Sequence, residues 1–362
     1  MEYLRKVFDR THIKLLIIAG ISLVLGLILI LIGKKSVSGL EDQNFASRWS
    51  DKKDFSQVSV FFSELSGFDE NGVMELSYKI DKKLLTDSIA TQNENARTWV
   101  YAYSANGEVD VVSKTSGSKV RVMGIGGDYF LFHPVELVTG SFFDSGYVMK
   151  DLVLLDTETA WRLFGSYDVV GQIVEIGGVP HVVTGVVKQE EGRLNTLAGN
   201  DEATIYMSFS SLSENGRASY INCFEALLPN PISSYALDTV KSQVPVEEKR
   251  FEIIENTERF NFVNLLKRVP KFGTRGMNAK GVVYPYWENM ARGVEDYLTP
   301  LAVLGCIFFA YPIILIVCIL IRMWRKRTVH KSDIFRFFEE KAEDYRENRK
   351  RKKDELEVEE IL

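Results

Sequence analysis

The sequence predicts an α+β domain carried between two membrane-spanning helices. Three observations predict it: two long charge-free apolar runs, strand-like and helix-like segments intermixed between them, and a bulk composition ordinary for a folded domain. Residues 15–33 and 298–321 carry no charged side chain. At about 1.5 Å per residue, each is long enough to cross a hydrocarbon core of roughly 30 Å. Hydrophobic residues are 46% of the chain and charged residues 26%, so ample polar surface remains for a large domain outside the two runs. A soluble cytoplasmic enzyme and a many-span channel are both excluded. The expected layout is a cytoplasmic N-terminus (1–14), a first span (15–33), an outer domain (34–297), a second span (298–321) and a charged helical tail (322–362).

Charge gives the orientation. Arg5, Lys6, Arg10 and Lys14 precede the first span, and Arg322, Arg325, Lys326, Arg327 and Lys331 follow the second; Lys34, Lys35 and Arg292 lie on the opposite ends. This asymmetry places both termini in the cytoplasm and residues 34–297 outside it. The net charge is −5, and the N-terminal 33 residues and residues 322–362 each carry +2. The outer domain is therefore acidic, which argues against binding nucleic acid by bulk charge. The first apolar run is longer than a signal-peptide core and its exit, GKKSVSGLEDQ, offers no small-x-small cleavage site, so it is expected to remain as an anchor. Cys306 and Cys318 lie in the second span and Cys223 is alone in the outer domain, so no disulfide can form within that domain. With no Asn-x-Ser/Thr acceptor either, the domain reads as bacterial.

The elements follow in order. QVSVFFSE (57–64) has strand composition, and residues 74–92 place Leu76, Ile80, Leu84 and Ile89 at near-helical spacing. Residues 99–104 and 108–113 read as a hairpin about Asn106-Gly107, because Asn-Gly accepts the positive φ of a tight turn. KVRVMGI (119–125) is a strand, and Gly124, Gly126 and Gly127 are expected to turn the chain sharply into an aromatic segment. DLVLLD (151–156) reads as a buried strand and TETAWRLFG (157–165) as a short helix. That helix would be capped by Asp156 or Thr157 and closed by Gly165, with Ala160, Leu163 and Phe164 facing the core. Residues 172–187 read strand, Gly-Gly turn, strand. Residues 203–209, 221–229 and 250–255 are strands and 233–244 a helix. In YWENMARGVEDYL (286–298), Trp287, Met290, Ala291, Val294 and Leu298 form one helical stripe and Glu288, Arg292 and Asp296 an i, i+4 ladder. No breaker intervenes before Pro300, so a stalk helix (286–297) is expected to run into the second span.

The segments VMGIGGDYFLFHPVELVTGSFF and LVLLDTETAWRLFGSYDVVGQIVEIGGVPHVVTGVV resemble the extracytoplasmic core domain of MacB-like permeases of ABC transporters (the FtsX/MacB-like family). The resemblance rests on an ordered series: Gly127 to Phe130, Gly140 to Phe143, Val153 to Leu155, Ala160 to Gly165, Gly171 to Val174, and Val183 to Val187. It implies a two-lobed outer domain. Residues 121–218 would be the inserted lobe, and 45–120 with 219–265 the membrane-proximal lobe. It also implies a cytoplasmic ABC ATPase as partner. Family permeases have four spans where this sequence shows two, so an accessory subunit working beside a four-span FtsX-like permease is expected as readily as a permease in its own right.

The residues point to no chemistry of their own. There is no Gly-x4-Gly-Lys-Ser/Thr, no Gly-x-Ser-x-Gly and no His-Glu-x-x-His. No catalytic residue, metal site or cofactor is expected. His133 and His181 read as structural histidines rather than a metal pair, and Tyr129, Phe130, Phe132, Phe142 and Phe143 as a lobe core rather than a ligand groove. The acidic pairs Glu190-Glu191 and Asp201-Glu202 read as solvated. The spans offer more. Ala302, Cys306 and Ala310 recur every four residues beside Gly305, and Ser22 and Gly26 repeat the spacing in the first span. Such small-residue ridges let helices approach closely in lipid. Pro312 removes the helical bond to the Phe308 carbonyl and permits a kink. In the tail, Ile334, Phe338, Ala342 and Tyr345 form a narrow apolar stripe suited to a cytoplasmic partner or the membrane surface. The expected function is that of a cell-membrane subunit transmitting ATP-driven motion of a partner to the outer domain. The alternative from another class is an anchored binding or sensor protein.

Overall fold

In a computed structural model, residues 10–89, 96–143, 149–189, 192–214, 220–272 and 281–326 are described. They fall into two compact units: Leu29–Val303, and the described residues up to Ile28 together with those from Leu304. The elements in chain order are α1 (Arg10–Ser38), α2 (Phe45–Trp49), β1 (Phe55–Phe62), α3 (Glu70–Thr86), β2 (Val100–Val112), β3 (Gly117–Gly127), α4 (Tyr129–Phe132), β4 (Leu137–Gly140), β5 (Leu152–Asp156), α5 (Thr157–Phe164), β6 (Ile173–Ile176), β7 (Val179–Val187), α6 (Arg193–Ala198), β8 (Thr204–Ser208), α7 (Phe209–Glu214), β9 (Cys223–Pro229), α8 (Tyr235–Gln243), β10 (Phe251–Glu255), α9 (Phe262–Arg268) and α10 (Tyr286–Lys326). Two of the helices are long and apolar enough to cross a membrane, over Lys14–Ser38 and Tyr286–Ile321.

One mixed sheet organises the Leu29–Val303 unit, in the order β10-β1-β9-β2-β3-β8-β5-β7-β4, with β6 pairing both β2 and β7. The β3–β8 and β5–β7 pairs are parallel and the rest antiparallel. The segments expected to make two lobes lie towards opposite ends of this sheet, and the β2–β3 hairpin joins them. Val100–Ser104 pair with β9 at one end of β2, and Val111–Val112 pair with β6 at the other.

Helices α3 and α8 cover the β10-β1-β9 end. Val73, Leu76, Ile80, Leu84, Ala236 and Val240 pack on Val58, Val60, Phe224 and Leu228. Helix α3 begins at Glu70, four residues before the apolar run read from the sequence, because the Asp69 side chain accepts from Gly72 N–H (3.0 Å) and fixes the start there. At the other end, α5 is capped as expected: Asp156 accepts from Thr159 N–H (2.7 Å), and Gly165 closes the helix at φ +66°. Its buried face is Thr159, Ala160 and Leu163. Phe164 packs against the same cluster, as expected, but is only partly buried.

Two expectations are corrected. Asn106-Gly107 is not a turn. Strand β2 runs through it in register, with Asn106 opposite Met123 and Gly107 opposite Val122, and Asn106 N–H donates to Asn222 Oδ1 (2.6 Å). The hairpin turns at Ser113, whose N–H donates to Ser116 O (2.7 Å). Asn-Gly permits a positive φ but does not require one, and continuous pairing on both sides holds the chain extended. Likewise Gly124 and Gly126 lie within β3, where they make room rather than turn the chain. A Cβ on Gly126 would stand 2.0 Å from the Tyr103 ring, and one on Gly124 would stand 2.6 Å from Leu212. Only Gly127, at φ +66°, does what was expected of all three.

Candidate functional site

The junction where the chain enters and leaves the sheet domain is the most concentrated polar site among the described residues. Six segments build it. The turn after α1 supplies Asp42 and Gln43, strands β1 and β9 supply Gln57, Ser59 and Glu225, the turn after α4 supplies His133, and the segment after β10 together with the start of α10 supplies Asn256, Arg259, Trp287, Glu288 and Glu295. All of these except Asp42 are buried.

His133 lies at the centre of one half. Its Nδ1 is 2.8 Å from Asp42 Oδ1, and its Nε2 is bonded to Glu225. The ring sits between Tyr129 and Trp287, with centroids at 4.6 and 4.1 Å. Glu225 also accepts from Ser59 Oγ (2.8 Å), which in turn accepts from Asn256 Nδ2 (2.7 Å), while Gln57 Nε2 donates to the Asp42 carbonyl (2.7 Å). Burial alone would push the imidazole pKa down. The carboxylates of Glu225 and Asp42 outweigh that and raise it to about 9, so the ring is cationic at neutral pH. Trp287 thus lies against a charged ring at a tilt of 41°, which adds a cation–π attraction between the stalk and the sheet.

Arg259 holds the other half. Its Nη2 donates to Glu288 Oε1 (2.8 Å), Nη1 donates to Glu288 Oε2 and to Gln43 Oε1 (3.3 Å), and Nε and Nη2 reach Glu295. Burial would lower the guanidinium pKa, but the charges of Glu288 and Glu295 hold it above its ordinary value. At the rim, Arg268 Nη2 reaches Glu295 at 2.6 Å and Arg292 Nε reaches Glu288 at 2.6 Å, and Arg292 lies over the Tyr284 ring at 3.6 Å. The planar guanidinium of Arg259 engages two carboxylates seven residues apart, so it grips α10 along about two turns. The arrangement presents no open nucleophile and no free acid–base couple. What it can do is bind a helix to a sheet.

Part of this junction is legible in the sequence. Trp287, Ala291, Val294 and Leu298 are buried and Met290 packs beside them, as the stripe predicts. The predicted Glu288–Arg292 contact is present, with Glu288 buried and Asp296 exposed. His133, Arg259 and Glu295 were missed as partners. The one local signal is the seven-residue spacing of Glu288 and Glu295 beside the stripe, which keeps both carboxylates along the edge of the buried face. His181 lies elsewhere, bonded to Val179 O and Ser211 Oγ (both 2.9 Å), with its pKa lowered by burial, so the two histidines share no site. Tyr129, Phe132 and Phe143 are buried, whereas Phe142 is largely exposed. Glu202 is exposed on its loop, and Glu190-Glu191 lie outside the described residues.

In the spans, Ser22 and Gly26 are buried, and they face the same chain's second helix. Ser22 Oγ donates to the Phe308 carbonyl at 2.7 Å, and a Cβ on Gly26 would stand 2.9 Å from the Phe309 ring. The carbonyl that Pro312 orphans is therefore satisfied across the helix pair. Gly305 is buried, Ala302 and Cys306 are partly buried, and Ala310 is exposed. Ala302 packs beside Leu298 and Leu265. The tail residues Ile334, Phe338, Ala342 and Tyr345 lie outside the described residues.

The first apolar helix and most of the sheet domain are matched by a known sequence family. The profile of the MacB-like periplasmic core domain covers residues 15–247. The chain belongs to this family. Among curated relatives, a macrolide export ATP-binding/permease protein MacB 2 from Aeromonas hydrophila is 32% identical over 91 residues, 25% of this chain and 14% of that protein. A MacB from Bordetella avium is 38% identical over 85 residues, 23% of this chain and 12% of that protein. The aligned region is thus a small part of those relatives. Among solved structures, the periplasmic region of MacB from Actinobacillus actinomycetemcomitans aligns with 55% of this chain and 88% of its own length, at 14% identity and a TM-score of 0.40. As a MacB-like protein with two apolar helices, the chain is a membrane protein with an extracytoplasmic domain.

Proposed function

We propose that this MacB-like chain is a membrane subunit of an ABC transporter-like assembly, permease-like or accessory, that passes motion driven by a separate cytoplasmic ATPase to its outer domain. In this reading both termini are cytoplasmic, and residues 34–297 face outward as the two lobes described above. The observation that carries the reading is the junction. Helix α10 is continuous from Tyr286 to Lys326, and its outer end is gripped by Arg259 through Glu288 and Glu295 and by His133 through Trp287. A helix held this way passes force to the sheet with little slack, because a buried, hydrogen-bonded charge cluster has few alternative arrangements.

The membrane contacts divide between two tasks. Ser22 and Gly26 hold the chain's own helices together, which leaves the exposed side of the second ridge, at Ala310, for a helix of a four-span FtsX-like permease. Purification of the tagged chain from its native host in mild detergent, followed by mass spectrometry, tests the reading. Recovery of an ABC ATPase at a fixed ratio, with or without a permease, is expected. Recovery of the chain alone or as a homodimer overturns it in favour of an anchored sensor.

A further inference from the structure

The short helix α9 and the turn after it form an amphipathic element whose apolar surface is half used. At helical spacing, Phe262, Val263, Leu265, Leu266 and Val269 fall on one arc, and Asn264, Lys267, Arg268 and Lys271 on the opposite one. The polar arc faces the sheet domain. Asn264, Lys267, Arg268 and Lys271 line a cleft of about 510 Å³, where Arg268 pairs with Glu295. One edge of the apolar arc is occupied, since Leu265 is buried against Leu40, Ala291, Val294 and Leu298. The other edge is bare: Phe262, Val263, Val269 and Phe272 are between 43% and 54% exposed. Four large apolar side chains in eleven residues exceed the scatter of single surface hydrophobics.

The height of this edge says what covers it. The cluster that holds Leu265 also contains Val37, in the last turn of α1, and Leu301, inside the apolar run of α10. Leu265 is therefore held at the depth where both spanning helices pass from polar to apolar sequence. In the neighbouring turns of the two helices, Leu31, Ile32 and Val303 are exposed apolar residues. The bare edge of α9 belongs to the element that Leu265 holds at this depth, and its lysines and arginine fall on the opposite arc, the arrangement of helices that lie in a membrane interface.

We propose that α9, with the turn Val269–Lys271 and Phe272, lies in the bilayer interface. Phe262, Val263, Val269 and Phe272 would enter the headgroup–acyl boundary of the outer-domain leaflet, and the occupant of the surface is phospholipid. The element would fix the height of the domain above the membrane beside the Arg259 junction, and it does so whatever the partner of the spans. The test uses the full chain with Cys306→Ala and Cys318→Ala, reconstituted in phosphatidylcholine–phosphatidylglycerol nanodiscs. The buried Cys223 stays in place. Single cysteines at Val263, Phe272 and, as a control on α3, Tyr78 carry an environment-sensitive fluorophore. The proposal expects blue-shifted emission at 263 and 272. It also expects quenching by a nitroxide near the top of the acyl chain at least about twofold greater than at position 78, and weaker quenching by a nitroxide near the chain end. Emission at 263 and 272 as red and as unquenched as at 78 would overturn it, as would blue-shifted emission that no lipid nitroxide quenches, which would mean that protein covers the edge. Melting of each labelled protein beside the unlabelled chain shows that the fold is intact, and Val269→Cys replaces either site if it is not.

Discussion

Replacing Arg259 by methionine removes the cation from a site in which Glu288 and Glu295 are both fully buried. Removing one partner of a buried ion pair costs about 3–5 kcal/mol, because the remaining charge stays out of water without compensation. Here the lower end applies. Arg292 still reaches Glu288 and Arg268 still reaches Glu295, each at 2.6 Å, so neither carboxylate is wholly stranded. About 3 kcal/mol in a domain of this size lowers the melting temperature by roughly 6–12 °C. The assay is thermal unfolding of the purified chain in detergent, followed by hydrogen exchange across residues 286–298. Arg259→Lys should fall between the two proteins, because an ammonium cannot span both carboxylates as the guanidinium does. Adding Glu288→Gln to Arg259→Met should recover part of the loss, since one buried charge then disappears with its partner. A melting temperature unchanged by Arg259→Met, or unchanged exchange at the stalk, would refute the idea that this arginine fastens α10 to the sheet.

Three further outcomes follow from the same contacts. Glu225 and Asp42 raise the folded pKa of His133 to about 9, above the ordinary imidazole value of about 6.5. Its contribution of about 3 kcal/mol is therefore complete below about pH 6.5 and is lost as the pH rises through about 9. Melting temperatures across that window should fall in the native chain and fall less in His133→Gln. Ser22→Ala strands the Phe308 carbonyl, and Gly26→Leu drives a side chain into the Phe309 ring. Spin labels at Leu27 and Ile307 should report a broader distance distribution in both variants, with the loss in Ser22→Ala about 0.6–2 kcal/mol. Leu163→Ala should cost about 2–5 kcal/mol and Phe164→Ala clearly less, read by urea unfolding, because Leu163 is fully buried beneath α5 and Phe164 only partly.

What could be read from the sequence was what neighbouring residues decide. The spans, the capped helix α5, the Gly177-Gly178 turn and the Trp287–Leu298 stripe each carry their signal within one or two helical turns, and the structure forms all of them. Asn106-Gly107 misled because its freedom is local while its conformation is set by Asn222 and strand β3. The junction stayed hidden for a similar reason. Arg259 meets Glu288 29 positions away and Gln43 216 positions away, and His133 meets Asp42 and Glu225 at separations of 91 and 92. A charged residue in a sequence defaults to solvent, and only the fold shows that these charges are buried together. Pro312 announced an orphaned carbonyl, but not that Ser22 would satisfy it.

The central claim is that nucleotide-driven motion enters through the spans and reaches the outer domain through a junction that does not yield. It is tested most directly in native-host membranes containing the doubly spin-labelled chain, with distances measured before and after magnesium ATP and vanadate. One pair, Leu27 and Ile307, reports on the spans. The other, Tyr78 and Tyr297, reports on the stalk against the sheet. All four positions are exposed. The account predicts that nucleotide shifts the first distance and leaves the second unchanged. A first distance indifferent to ATP, or a second that changes with it, would contradict the account.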